Sequence, residues 1–328
     1  MHVLVTGGAG YVGSNVVRAL LDSGHQVSVI DDLSSGHRAA LPPEVPLIVG
    51  RCGDMRALDE TLRDAPPDGV MHLAAKCSVG ESMADPRIYY QANLRDSLDL
   101  LDWIVARGVG WIIHSSTCAA YGIPEHQPMD ESVCPRPINA YGATKLAVDQ
   151  AIEFYRQAYS IGGTSLRYFN AAGAQPDGTL GEDKTPASNL IPRVLAVALG
   201  QAELLEVYGN DYDSIDGTGV RDYIHVADLA AAHLAAMESL AAGAAGAVYN
   251  LGTETGSSVL QVAETARAVT GHPIPLRFGS RRAGDPAVLV ASSQRARRQL
   301  GWSATRSDLE TILADAWRWH TARPEGYG

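Results

Sequence analysis

The chain has 328 residues, enough for about two lobes, and 46% of them are apolar against 19% charged. That composition supports a full core and argues against disorder. Lys and Arg number 26 against 37 Asp and Glu, a net charge of -11, which argues against nucleic acid, because phosphates need a basic surface. The four cysteines, Cys52, Cys77, Cys118 and Cys134, form no CxxC pair, and no HExxH cluster is present. Neither a disulfide framework nor a metal site is expected, and reduced thiols fit a cytoplasmic enzyme. The first strand-like run begins at Val3, so no signal peptide is expected. The most apolar stretch, 226–248, is interrupted by Asp228, His233, Glu238 and Gly243. It reads as an amphipathic helix and not as a membrane span.

In chain order, strands are expected at Val3–Val5, Val27–Ile30, Leu47–Val49, Val70–Leu73, Trp111–His114 and Ser165–Tyr168. Helical patterns near 11–23, 55–64, 86–107 and 140–159 alternate with them. Short β-branched runs separated by helices predict a parallel, doubly wound α/β sheet, with ligands at the carboxyl ends of its strands. From about 171 the rhythm breaks. Residues 173–187 are rich in Gly, Pro and Asp and read as a loop. The expected division is a dinucleotide-binding domain over 1–170 and a smaller mixed α/β substrate lobe over 171–328. The segment near 219–228 could return to the first.

The run Thr6-Gly7-Gly8-Ala9-Gly10-Tyr11-Val12-Gly13 follows the first strand and opens the first helix. Gly7, Gly10 and Gly13 permit a tight turn and let backbone N–H groups approach a pyrophosphate at the helix N-terminus. A ligand-free glycine turn is the plain alternative, but the strand-then-helix context favours a Rossmann-like dinucleotide site. Asp31 ends the second strand, 18 residues past Gly13. A carboxylate there accepts ribose hydroxyls and repels a 2′-phosphate, favouring NAD over NADP. The turn Asp31-Asp32-Leu33-Ser34-Ser35-Gly36 is counted with this site, although turn formation alone also explains it. Asp54, after the third strand, is expected near the adenine.

Tyr141 and Lys145 stand four residues apart in a helical stretch, which places phenol and ammonium on one face. A nearby ammonium stabilises a phenolate, and the expectation is a phenol lowered towards neutrality, usable as a base. The third motif, His114-Ser115-Ser116-Thr117-Cys118-Ala119-Ala120-Tyr121-Gly122, follows the fifth strand. A hydroxyl there can hold a reacting alcohol and relay its proton to the tyrosine. No carboxylate follows that hydroxyl, because positions 118 and 119 are Cys and Ala. Cys118 reads as a small packed residue and not as a nucleophile.

Together these motifs resemble the extended short-chain dehydrogenase/reductases. Val79-Gly80-Glu81-Ser82, Asn93, Leu166–Asn170, Gly209–Tyr212, Asp216–Val226, Tyr249–Gly252 and Arg281–Asp285 are similar to the UDP-glucose 4-epimerase branch. Several of these runs lie in the second lobe, where generic dehydrogenases differ. The resemblance implies Tyr141 as base, Lys145 on the nicotinamide ribose and Thr117 on the sugar hydroxyl. It implies that Tyr11, Val12, Asp31, Asp54, Met55, Leu73, Ala74, Ala75, Asn93 and Phe169 line NAD. It further implies that Asn170, Asn189, Leu190, Val207, Tyr208, Arg221, Arg282 and Asp285 hold a nucleotide-sugar. Arginines suit its pyrophosphate; a surface ion pair is the plain alternative for Arg221 and Arg282.

The chain departs from the branch at two places. Many members carry a lysine facing the phosphates where this chain has Cys77; Lys76 is adjacent and is counted with the cofactor site. Leu289 aligns with a residue lining the sugar pocket, where the usual aromatic or small residue is missing. The expectation is 4-epimerisation of UDP-hexoses through a transient 4-keto intermediate, by a cytoplasmic homodimer paired through 86–107 and 140–159. N-acetylated sugars are candidate substrates. A nucleotide-sugar dehydratase or decarboxylase is the nearest rival and needs the carboxylate that positions 118 and 119 lack. A non-catalytic dinucleotide sensor is the other, and would not need Tyr141 with Lys145.

Overall fold

A computed structural model of the chain describes residues 1–124, 126–183, 189–282 and 285–328. From the N-terminus, β1 (His2–Thr6), α1 (Tyr11–Asp22), β2 (Gln26–Asp31), β3 (Leu47–Val49), α2 (Met55–Leu62) and β4 (Gly69–His72) alternate. Two short helices, α3 (Val79–Ala84) and α4 (Pro86–Tyr89), lead through a π-helical turn, Tyr90–Arg95, into α5 (Asp96–Arg107). Next come β5 (Trp111–Thr117), a 3₁₀ turn at Cys118–Ala120, α6 (Ala140–Tyr159) and β6 (Gly162–Tyr168). The second half begins with β7 (Asn170–Ala172), α7 (Leu190–Ala198), β8 (Leu205–Tyr208), β9 (Val220–Arg221) and β10 (Tyr223–His225). It continues with α8 (Val226–Ala241), β11 (Val248–Leu251), β12 (Ser257–Ser258), α9 (Val259–Thr270) and β13 (Leu276–Gly279). The last elements are β14 (Val288–Leu289), α10 (Gln294–Leu300) and α11 (Leu309–Ala322).

Seven parallel strands make the main sheet, in the order β3-β2-β1-β4-β5-β6-β11. Its inner strands β1, β4 and β5 are buried on both faces, as parallel strands need to be. One face packs Val3, Val5, Val16, Val17, Leu20, Leu229 and Met237 from the sheet, α1 and α8. The other packs Leu4, Ile30, Leu58, Ile104, Val148 and Ile152 from the sheet, α2, α5 and α6. Each such side chain contributes about 1.5–3 kcal/mol on burial. This is the Rossmann-like α/β layer expected from the sequence, with a smaller lobe cored by α7, α9 and α11.

The division at 170/171 needs correction. Helix α8 packs its buried face on the main sheet, and β11 pairs in register with β6, so residues 226–251 belong to the first layer. The returning segment is therefore later than 219–228: β9 pairs with β12 and β14, and β10 with β7. The helix expected over 86–107 is broken by the π-turn. There Asn93 is buried and grips the Lys76 backbone, donating to its carbonyl at 2.9 Å and accepting its N–H at 2.8 Å. Side-chain burial of an amide sets that local geometry, and apolar periodicity does not report it. Of the 173–187 loop, 173–183 carries no helix or strand, and 184–187, with Lys184, lies outside the described residues. Among the described residues no helix is long and apolar enough to cross a membrane.

Candidate active site

Helix α6 starts at Asn139, whose side chain accepts the Gly142 N–H at 2.8 Å. At Gly142 a Cβ would fall 2.3 Å from the Ala119 carbonyl oxygen. Glycine there lets the first turn of α6 press against the end of β5, which brings Tyr141 beside Thr117. The Thr117 hydroxyl faces the Tyr141 phenol and favours its ionised form, and its Oγ1 accepts the Ala119 N–H at 3.1 Å. One turn on, the Lys145 ammonium is buried and donates to the Ser115 carbonyl at 2.7 Å.

The phenol's acidity departs from expectation. Burial is the largest influence on Tyr141 and pushes its pKa up, with the Thr117 hydrogen bond opposing. Lys145 grips Ser115 and is no hydrogen-bond partner of the phenol. Burial also pushes Lys145 down, to about 8, although the Asp149 carboxylate pulls the other way. Asp149 was not singled out in the sequence. It lies four residues beyond Lys145 on α6, accepts the Ser116 hydroxyl at 2.9 Å and pairs with Arg167 at 2.9 Å. Its spacing from Lys145 was the available signal. Tyr168 was likewise missed as a partner; its hydroxyl bonds the Ser115 hydroxyl.

The glycine loop lies at the carboxyl end of β1. A Cβ on Gly7 would lie 2.5 Å from Ala74 N, and one on Gly13 would lie 2.0 Å from Gly7 O. Leu73, Ala74 and Ala75 run past this turn, with Ala74 N–H on Thr6 Oγ1 at 3.2 Å. Gly10 caps α1 without a side-chain bond, and the first turn carries no acidic residue. The first-turn N–H groups at Tyr11 and Val12 therefore face an uncovered helix end that suits an anion. Asp31 Oδ2 accepts Ala9 N–H and Oδ1 accepts Leu33 N–H, both at 2.9 Å. Each oxygen keeps a lone pair for a hydroxyl. Leu33 is held at φ 57, a left-handed conformation costly for a bulky residue. Asp32 Oδ1 takes the Ser34 N–H at 2.9 Å, and Lys76 Nζ reaches Ser34 Oγ at 3.2 Å. Gly36 lies against Ala9, and Ser35 stands between it and Ser34. Asp54 caps α2 through Ala57 N–H, with Met55 exposed beside it. These residues fit a dinucleotide. Asn93 differs: its amide is engaged by Lys76 and Thr144, so it shapes the loop behind the cradle.

The nucleotide-sugar candidates are spread over the smaller lobe and its border. Phe169 is buried with Tyr121, Met129 and Ala291, and Leu289 and Cys118 pack against that cluster. Burial raises the Cys118 thiol to about 12, consistent with a packed residue. Asn170 donates to the Asp222 carbonyl at 2.9 Å. Arg221 and Asp285 pair with each other, and Arg282 lies 4.0 Å over the Tyr208 ring. Asn189 donates to Glu182 at 2.6 Å and precedes Leu190 at the start of α7. Val207 is 1% exposed, so its side chain cannot line a pocket and its backbone alone is available. Ala283 and Gly284 of the Arg281–Asp285 motif lie outside the described residues.

A family model described as "NAD dependent epimerase/dehydratase family" matches residues 3–252. The chain is 48% identical to a UDP-glucose 4-epimerase of Corynebacterium glutamicum, over 98% of this chain and 96% of that one. A UDP-glucose 4-epimerase of Brucella ovis in complex with NAD is 41% identical, with TM-score 0.94 over 97% of this chain and 98% of that one. Its Bifidobacterium longum counterpart, in complex with NAD+ and UDP, is 37% identical, with TM-score 0.94 over 99% and 100%.

The buried amine has a consequence for the pH dependence of any chemistry at Tyr141. Because Lys145 loses its proton above about 8, the charge that supports a phenolate fades on the alkaline side. The expected profile of kcat/KM over roughly pH 6–10 has a falling limb near pH 8. Lys145→Arg, which stays charged, removes that limb whatever its residual rate.

Proposed function

The chain belongs to the NAD dependent epimerase/dehydratase family, and from that premise we propose that it interconverts UDP-glucose and UDP-galactose, an isomerisation with NAD as its resident cofactor. The observation that carries the reading is the Thr117–Tyr141 contact beside buried Lys145, at the strand ends next to a glycine cradle. NAD is supported by Asp31, and by the NAD bound in the Brucella ovis and Bifidobacterium longum proteins. UDP recognition is supported by the UDP in the latter.

In this reading Tyr141 takes the proton from the sugar's O4 and later returns it. Thr117 donates to the phenol oxygen and orients the sugar hydroxyl. Lys145 keeps a positive charge within reach of the developing phenolate. NAD, when bound, would supply a two-electron acceptor and donor for C4. Arg221 and Arg282 are the cations available to a pyrophosphate, and Asp285 is the carboxylate available to a ribose. Anchoring at the nucleotide leaves the sugar free to turn. A dehydratase or decarboxylase would need a carboxylate where Cys118 and Ala119 stand. We read the assembly as a cytoplasmic homodimer; exposed Phe154 and Tyr159 on α6 support a partner on that helix.

Tyr141→Phe should fold, keep NAD and lose about 10²–10⁴-fold in rate, measured as UDP-galactose converted to UDP-glucose. Near-normal turnover removes Tyr141 as the base. Leu289 packs, as Cys118 does, against the cluster that holds Phe169, and bears on substrate size. Leucine leaves room beside the sugar C2 that an aromatic would fill, so UDP-N-acetylhexosamines should react as well. Leu289→Tyr should cut kcat/KM for those sugars about ten- to a hundredfold, the scale of overpacking, while sparing plain hexoses. Equal losses on both sugar types, or no change, remove Leu289 as the gate.

A further inference from the structure

We infer that Tyr327, next to the C-terminus, is a positioning residue for the dinucleotide site, pinning the cofactor loop through His37 and slowing release of NAD. The inference rests on the reading that NAD stays bound through the reaction.

After α11 the chain turns back at Gly326, whose φ is +72 and whose Cβ, were there one, would lie 2.1 Å from Asp183 Oδ2. Only glycine allows that turn and approach together. It delivers Tyr327 to the junction of the two lobes. On the smaller-lobe side, its ring lies 4.7 Å from that of buried Trp319. Its N–H donates to Asp183 Oδ2 at 2.8 Å, and its hydroxyl accepts the Gly181 N–H at 3.2 Å. On the other side, it stacks on His37 with centroids 5.1 Å apart and planes 28° apart. His37 Nε2 also lies 3.5 Å from Asp183 Oδ2.

His37 immediately follows the loop that carries Asp32 to Gly36, and its N–H donates to the Ala9 carbonyl at 2.9 Å. Ala9 sits in the glycine loop, and its own N–H is held by Asp31. A continuous set of contacts therefore runs from α11 through Tyr327 and His37 to both loops of the cradle. Opening of the loop for cofactor exit has to break the stack, the hydrogen bond and the approach to Asp183 together. A redox-neutral reaction has no need to exchange its cofactor, so a fastening that would slow an ordinary dehydrogenase costs this one nothing.

The test is the rate at which bound NAD exchanges with isotopically labelled NAD in wild type, Y327A, Y327F and H37A, alongside thermal melting of each. Y327A and H37A should exchange about tenfold faster or more, and Y327F, which keeps the stack, should fall between. If Y327A does not melt cooperatively, Y327F and H37A decide the matter. A wild-type exchange rate in the folded variants, with or without a lowered melting temperature, overturns the fastening alone. A wild-type chain that neither carries nor takes up NAD overturns the functional reading and the fastening with it.

Discussion

The contact on which the site depends is the docking of α6 against the carboxyl end of β5. Three consecutive residues of the strand are used in three different ways: Ser115 gives its carbonyl to Lys145, Ser116 gives its hydroxyl to Asp149, and Thr117 meets Tyr141. Gly142 makes the approach possible by leaving no Cβ to strike Ala119. Because Tyr141, Lys145 and Asp149 are spaced by four on one helix, fixing any of them fixes the others. The buried Asp149–Arg167 pair then ties that helix face to β6, the next strand of the sheet. Removing one partner would leave an uncompensated buried charge, which is far costlier than the pair is stabilising.

The same interior that makes this geometry rigid also raises the phenol's pKa and lowers the amine's. Burial penalises whichever form is charged, so it works against both the phenolate and the ammonium. The site answers locally: the Thr117 hydroxyl favours the phenolate, and the Ser115 carbonyl and the Asp149 carboxylate favour the ammonium. His72 on β4 and His114 on β5 are pushed down by burial and stay neutral, adding no competing cation near Lys145.

The glycine turn, Asp31 and the Tyr141/Lys145 pair were readable in the sequence because each depends on local spacing at the end of a strand. The six strands expected in the first half all form, although β6 begins earlier than expected. Gly162 and Gly163 open that strand, and a Cβ on Gly163 would lie 2.6 Å from Ile152 Cγ2. The alternating rhythm breaks from about 171, yet α7, α9 and α11 of the smaller lobe have 9, 12 and 14 residues. They are packed on one another, so their apolar faces make sense only with tertiary partners in view. The resemblance assigns Asn93 and Val207 to ligands; the Asn93 amide also grips the Lys76 backbone, and Val207 is buried with its backbone alone available. The pairing of Arg221 with Asp285 joins residues 64 apart, a relation that no local pattern carries.

In a closed cycle the hydrogen removed from C4 returns to C4 of the same sugar, while only the O4 proton passes through Tyr141. UDP-galactose deuterated at C4, incubated with the enzyme in ordinary water, tests it directly. The expected product is UDP-glucose that keeps the deuterium at C4 in full, with none in solvent. Loss of the label to water, or its transfer to added NAD, would contradict it.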